Sequence, residues 1–407
     1  MIGEIIAIGD ELTTGRIVNT TSALAARELF FQGHEIRAMH TVGDVPALIG
    51  QALKEAVARC DFVIVTGGLG ATPDDVTNGA VIEALGLDGM VHPGVHANIA
   101  SRLDQATAEL LARLAWLPVG AEVLDPEYRM AGYLLRHQSK PIWFLPGVPP
   151  QMEILLRTKV LPGLRDFDHD RARPVCQSIY RTCGLFETEI SRRLRPLEEQ
   201  GLAIGYYPVG CEVHISLATQ AVPGAADAGP RTADAFIREA LGDNLYGMNE
   251  KTLAAATGDL LMQRGFLLGA AESCTGGLMS ATLTETPGSS RWFKGGVIAY
   301  DNGIKERILG IDPALLARFG AVSGETAQAM ASGLLQRLGC DIAVSATGIA
   351  GPDGGTPDKP VGTVYLGLAT RDQVSDRHVR FTGSRRQIQE KTAQTAVDMV
   401  RRALLVR

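Results

Sequence analysis

A chain of 407 residues is longer than one hydrophobic core usually organises, so two or three domains are expected. Its 45% hydrophobic and 21% charged residues suit a globular protein, and a net charge of −6 without any basic run argues against a nucleic-acid surface. No apolar stretch approaches the roughly 20 residues of a membrane helix. Met1 leads directly into a strand-like run that leaves no room for a signal peptide, so a cytoplasmic location is expected. The six cysteines are scattered without a C-x-x-C pair and read as free thiols, and the histidines do not cluster at metal-ligand spacings.

In chain order, the apolar run Ile5–Ile8 reads as a strand that stops at Gly9-Asp10-Glu11. A helix over 20–31, a strand over 34–39 and a helix over 46–58 follow, and then the buried-type strand 61–66 runs into Gly67-Gly68. This βαβ rhythm implies a largely parallel sheet with ligands at the carboxyl ends of its strands. A helix is expected to open at Pro73, a strand spans 142–145, and the polar stretch 165–170 reads as a linker. Residues 175–247 then change rhythm to β-α-β-β-α-β, the split pattern of a ferredoxin-like or KH-like module. They lack a basic G-x-x-G loop, so a spacer or dimerisation role is expected over RNA binding. From residue 250 the α/β alternation resumes, with strands over 267–271, 295–300, 341–346, 361–368 and 378–381. Ser323 caps a helix to 338, and a last helix starts near Arg386.

Chemistry concentrates at three places. Ala271-Glu272-Ser273-Cys274-Thr275-Gly276-Gly277 joins a strand to a helix, where unpaired N–H groups favour phosphate or a developing oxyanion, although Ser273 or Thr275 could simply be a cap. A second glycine-rich strand end, Thr347-Gly348-Ile349-Ala350-Gly351, has the same placement. Pro287-Gly288-Ser289-Ser290 and Tyr300-(x)4-Lys305 add hydroxyls and an amine. Serine needs a base to become a nucleophile, and a lysine serves if burial lowers its pKa, so the set suggests acyl transfer at a carbonyl. In the N-terminal part, Gly67, Gly68 and Gly70 precede Asp74 and Asp75, a pair suited to a divalent cation bridging phosphates or, more plainly, to the first turn of a helix. The acidic loops without a Walker lysine argue against a P-loop.

These strings resemble the CinA competence/damage-inducible family over nearly the whole chain. The resemblance implies three α/β-class domains: a molybdopterin-binding (MoaB/MogA-like) three-layer domain over 1–168, a ferredoxin/KH-like domain over 172–247, and a nicotinamide mononucleotide (NMN) deamidase domain over 250–407. It makes Ser290 the nucleophile and Tyr300 and Lys305 the proton-handling pair. Ser273, Thr347 and Arg385 would orient the nucleotide or steady the oxyanion, beside Thr275, Gly276, Gly277, Gly348 and Gly351. The deamidase needs no cofactor. The N-terminal domain is associated in this family with metal-dependent ADP-ribose hydrolysis, which assigns Asp10, Gly67, Gly68 and Gly70 to substrate and Asp74 and Asp75 to the metal. The expected partners are small nucleotides and a second copy of the chain, without membrane or direct nucleic-acid binding. One stretch departs from the family pattern: Asp125-Pro126-Glu127-Tyr128-Arg129-Met130-Ala131-Gly132-Tyr133 stands where a Gly-Thr-Ala-Pro-Gly-like loop is usual.

Overall fold

The computed structural model describes residues 1–102, 112–127, 129–168, 173–220 and 228–405. They form two compact units, one dominated by residues 1–176 and the other by residues 177–407.

The first unit is built on a six-stranded sheet. Its strands are β1 (Ile2–Ile8), β2 (Glu35–Val42), β3 (Phe62–Thr66), β4 (Glu122–Val123), β5 (Tyr133–His137) and β6 (Lys140–Leu145), in the order β2-β1-β3-β6-β5-β4. The first four of that order are parallel, and β5 and β4 close the edge antiparallel. Alternation divides the core between two faces, with Ile6, Val63 and Val65 on one and Ile5, Phe62 and Ile64 on the other. Helices α1 (Thr20–Phe31) and α2 (Pro46–Arg59) start where the sequence places them. Asn19 accepts from the Ser22 N–H, and Pro46 occupies the first turn of α2, where no N–H is needed. Helix α3 (Thr77–Leu85) starts four residues later than Pro73. The delay has a cause: the Asp75 carboxylate turns back to accept the N–H groups of Gly70 (2.7 Å) and Thr72 (2.9 Å), which holds 70–75 as a loop. The expected linker is also corrected. Beyond α4 (Pro149–Leu155), residues up to 168 form helix α5 (Leu161–Asp168), because Leu161 and Leu164 bury one face; residues 169 and 170 lie outside the described residues.

In the second unit, β7 (Val175–Cys183), α6 (Glu187–Glu199), β8 (Ala203–Val209), β9 (Glu212–Gln220), α7 (Ala228–Leu241) and β10 (Leu245–Met248) make a sheet ordered β8-β9-β7-β10, the ferredoxin-like arrangement. After α8 (Leu253–Arg264) come β11 (Leu268–Glu272), α9 (Leu278–Thr284), β12 (Phe293–Ile298), α10 (Asn302–Leu309), α11 (Gly324–Leu338), β13 (Ile342–Gly348), β14 (Thr363–Thr370), β15 (Val374–Arg380) and α12 (Arg385–Leu405). The five strands run β12-β11-β13-β14-β15, the first three parallel.

The smaller sheet is fastened to α12. Arg402 donates to the Cys183 carbonyl (2.9 Å) and Asn244 (2.8 Å), and Arg401 donates to the Asp243 carbonyl (2.7 Å). Both guanidinium groups pair with the buried Asp398. A buried charge set of this kind tolerates no missing member, which fits one compact unit rather than two loosely tethered domains. Cys60, Cys183, Cys211, Cys274 and Cys340 are free thiols. No helix among the described residues is long and apolar enough to cross a membrane.

Candidate active site

The register of the five-stranded sheet builds the site. Glu272 pairs with Ile298 on one side and with Ala346 on the other, so the residues that follow all three strands emerge along one edge. That edge gathers Ser273-Cys274-Thr275, Tyr300 and Thr347-Gly348. Their backbones are laced together, since Ser273 N–H donates to the Ala346 carbonyl (2.9 Å) and Ala299 N–H to the Glu272 carbonyl (2.7 Å).

Lys305, in the first turn of α10, is 1% exposed, and its Nζ donates to the Tyr300 carbonyl (3.1 Å). Burial pushes its ammonium below the usual 10.5, against the opposing charge of Asp301. Tyr300 is exposed, and its hydroxyl accepts from Arg385 Nη2 (2.9 Å), while Nη1 of the same guanidinium reaches the Gly351 carbonyl (2.7 Å). Arg385 thus ties the start of α12 to both glycine-rich and tyrosine-bearing strand ends. Thr347 is buried and donates its hydroxyl proton to the Ala321 carbonyl (2.6 Å), so toward a ligand it can only accept.

The helix start after β11 differs from expectation. Gly277 (φ 100°) turns the chain so that its N–H, with that of Met279, points at one carboxylate oxygen of Glu272 (3.0 Å each). The other oxygen takes the N–H (2.8 Å) and hydroxyl (2.6 Å) of Ser280. Gly276 N–H donates to the Ser273 carbonyl (3.2 Å). The α9 N-terminus is therefore satisfied by the protein's own acid, and Gly276 and Gly277 are turn formers with no N–H left for phosphate or oxyanion. The turn also holds Thr275, whose buried hydroxyl has no hydrogen-bond partner among the described residues. Cys274 beside it is inert, because burial pushes its thiol up to about 12. Glu272 as an internal cap, and Gln389, whose Nε2 donates to the Cys274 carbonyl (2.9 Å), were not singled out from sequence. The available signal was an acid as the last residue of a buried strand before Gly-Gly.

Ser290 is placed elsewhere. It lies exposed in the one-turn helix Ser289–Arg291 that precedes β12. Leu268 N–H donates to the Trp292 carbonyl (2.7 Å), which sets this turn beside the beginning of β11, whereas Tyr300 follows its end. Those ends are four residues apart, about 13 Å at a strand's rise of roughly 3.3 Å per residue. Within one chain the structure gathers Ser273, Thr275, Tyr300, Lys305, Thr347 and Arg385 on one edge and leaves Ser290 on the other.

In the first unit, a cleft of about 440 Å³ at the carboxyl ends of the strands is lined by Glu11, Asp44, Gly67, Gly68, Asp74 and Arg129 among others. Gly67 (φ 102°) is required there, because a Cβ would come 2.2 Å from the Ile8 carbonyl oxygen. Gly70 and Asp75 also line it, but the Asp75 carboxylate is engaged by its own loop. Asp10 and Asp44 exchange backbone–carboxylate bonds, 2.8 Å from Asp10 N–H and 3.1 Å from Asp44 N–H. Burial, with the charges of Asp10, Glu11 and Asp74, raises the Asp44 carboxyl despite its bond to Asp10. Asp44 was missed in the sequence, though Gly43-Asp44 ends β2 as Gly9-Asp10 ends β1, and Ile8 and Val42 are register partners. Among the described residues no group of three or more His, Cys, Asp or Glu is arranged to hold a metal ion unaided. The departing loop is held by Asp125, whose carboxylate accepts from the N–H groups of Glu127, Arg129 and Met130 (3.1, 2.7 and 2.9 Å); Tyr128 lies outside the described residues.

An α/β sheet with an acidic, glycine-lined cleft, followed in the chain by a second unit with glycine-framed strand ends, defines a MoaB/MogA-like domain joined to further α/β domains. The family described as probable molybdopterin binding domain matches residues 4–166, and the CinA C-terminal domain matches residues 250–404. A CinA-like protein of Desulfotalea psychrophila is 47% identical over 413 residues, covering 99% of this chain and 98% of that protein. One from Dictyoglomus thermophilum is 36% identical over 409 residues, covering 99% of each. The crystal structure of competence/damage inducible protein CihA from Agrobacterium tumefaciens shares 41% identity over 38% of this chain and 93% of that one, with a TM-score of 0.37. The chain belongs to the CinA family of competence/damage-inducible proteins.

Proposed function

We propose that the C-terminal site hydrolyses the carboxamide of NMN to nicotinic acid mononucleotide and ammonia. The observation that carries this reading is Lys305, a buried amine depressed below its ordinary pKa beside Tyr300 at a glycine-framed sheet edge. In the first step a serine Oγ attacks the carboxamide carbon while Lys305 Nζ takes its proton. Collapse of the tetrahedral intermediate breaks the C–N bond, and Lys305 returns the proton to the departing ammonia. Water then hydrolyses the acyl-serine, giving the carboxylate and restoring the hydroxyl. Arg385, exposed at the same edge with its guanidinium at the Tyr300 hydroxyl, suits the phosphate of the substrate. The test is ammonia release from NMN by the purified full chain. No release at saturating NMN sinks the reading, and so does undiminished release by Lys305→Met.

The acidic cleft supports a second activity, hydrolysis of ADP-ribose with a divalent cation. Its donors are hard carboxylate oxygens, and they fit an ion shared between one or two acids, such as Asp74, and substrate phosphates rather than caged by protein alone. That ion would neutralise the diphosphate. Arg129, on the departing loop, lines the same cleft and would add a positive charge. Production of AMP is the readout, and undiminished production in excess chelator would exclude the metal.

A further inference from the structure

We infer that the deamidase site is completed by a second copy of this chain, with Ser290 delivered in trans to Tyr300 and Lys305 by antiparallel pairing of two β12 edges. The inference rests on the deamidase reading and assigns the origin of its nucleophile. The separation of Ser290 from Lys305 along β11 is fixed by backbone bonds at both ends of that strand, so no rotamer change closes it within one chain. A two-fold axis closes it at once. β12 is an outer strand of its sheet. Two such strands related by a dyad run antiparallel, so the beginning of one lies beside the end of the other. With the axis at Gly295, that glycine faces its own mate and residue pairs sum to 590. Phe293 then faces Val297 of the other copy, Arg291 faces its Ala299, and Ser290 faces its Tyr300. Lys305 stands five residues beyond Tyr300 and already reaches back to the Tyr300 carbonyl.

The two edges of this sheet are built differently, and the difference favours a copy of the chain as the occupant of this one. The far edge, β15, carries Asp376, Arg377, His378 and Arg380, the charges that keep an exposed strand from pairing. β12 carries a single charge, Lys294, whose ammonium is drawn away to the Gly339 carbonyl (3.1 Å). A Cβ at Gly295 would meet nothing within 4 Å, so the backbone there is open to approach. Ile298 (54%) in β12 and Tyr300 (59%) just beyond it are exposed, two large side chains that a lone subunit would leave in water. Edge-to-edge pairing covers them and satisfies the outer N–H and C=O groups of both strands. A free peptide would do the same for the backbone but would bring no hydroxyl to the lysine.

Complementation between two dead variants tests this. Ser290→Ala and Lys305→Arg are coexpressed in the full chain with different tags, and the mixed oligomer is isolated through both. A guanidinium cannot serve as the base near neutral pH. If the site is shared, a mixed dimer holds one doubly damaged site and one intact site, so it recovers about half the wild-type specific activity while each variant alone is inactive. If the serine acts within its own chain, every site in the mixed dimer carries one lesion and activity stays at the level of the parents. That result, an active Ser290→Ala homo-oligomer, or a wild type that is monomeric at assay concentration and still active would each overturn the proposal. Wild-type inactivity toward NMN would instead reject the deamidase reading itself. Ile298→Glu gives an independent check: a folded protein by circular dichroism should run as a monomer and lose at least ~100-fold in ammonia release. Full activity in that monomer would also overturn the pairing.

Discussion

Removing the internal cap of α9 tests the reading of Glu272. Its side chain is fully buried, and its two oxygens take three backbone N–H groups and the Ser280 hydroxyl at 2.6–3.0 Å. Glu272→Ala strands the donors of Gly277, Met279 and Ser280. Met279 is in the core, whereas Gly277 and Ser280 are half-buried and regain some water. Counting a stranded buried donor at roughly 1–3 kcal/mol and the two half-buried ones as one more, the variant should lose about 2–6 kcal/mol. Glu272→Gln keeps the shape but has one acceptor oxygen and sets an NH₂ against N–H donors, so about 2–3 kcal/mol is expected. The assay is urea unfolding of the full chain, followed by hydrogen exchange in peptides covering residues 273–284. Ammonia release should fall with it, because the same turn positions Ser273 and Thr275. Unchanged protection of those peptides, with stability within about 1 kcal/mol of wild type, would refute the argument that this carboxylate organises the strand end.

Deamidation by the wild type should rise with pH through an apparent pKa below 10.5, since only the neutral Lys305 accepts a proton; a profile flat from pH 6 to 9 would contradict this. The same lysine carries a stability linkage. Its folded pKa is depressed, so the cost of burying the charge is fully present below that value and disappears as pH rises toward 10.5, and Lys305→Met should gain stability most at low pH. Glu4 runs the other way: burial opposes its charge, but Arg59 and His40 hold it below 4.5, so its contribution is present above 4.5 and lost as pH falls through the folded value. Glu4→Gln should therefore flatten acid unfolding of the first unit, measured by circular dichroism. Asp75→Ala frees two loop N–H groups and should cost about 1–2 kcal/mol, while the exposed Asp74→Asn should leave urea unfolding unchanged and lower only metal-dependent AMP formation.

The elements themselves were legible in the chain. The helix over 20–31, the helix from 46, the β-α-β-β-α-β segment and the Ser323 cap follow from hydrophobic period, proline and a side-chain oxygen, all of which act within a few residues. Even the sheet-edge site was half visible, because parallel strands joined by crossovers must end side by side and their glycine-rich ends mark where. Two local readings failed for local reasons. Asp75 preferred its own loop's N–H groups to the first turn of a helix, and the leucines of 161–164 made a helix of a polar stretch. The sequence could not say what the N–H groups of Gly277 and Met279 would bind, because their acceptor is an acid whose two oxygens converge only when β11 and α9 pack together. Nor could it say where Ser290 lies. Spacing put that serine 15 residues from Lys305, but a crossover connection carries it to the far end of a strand, and distance along a chain becomes distance in space only when the sheet register is set.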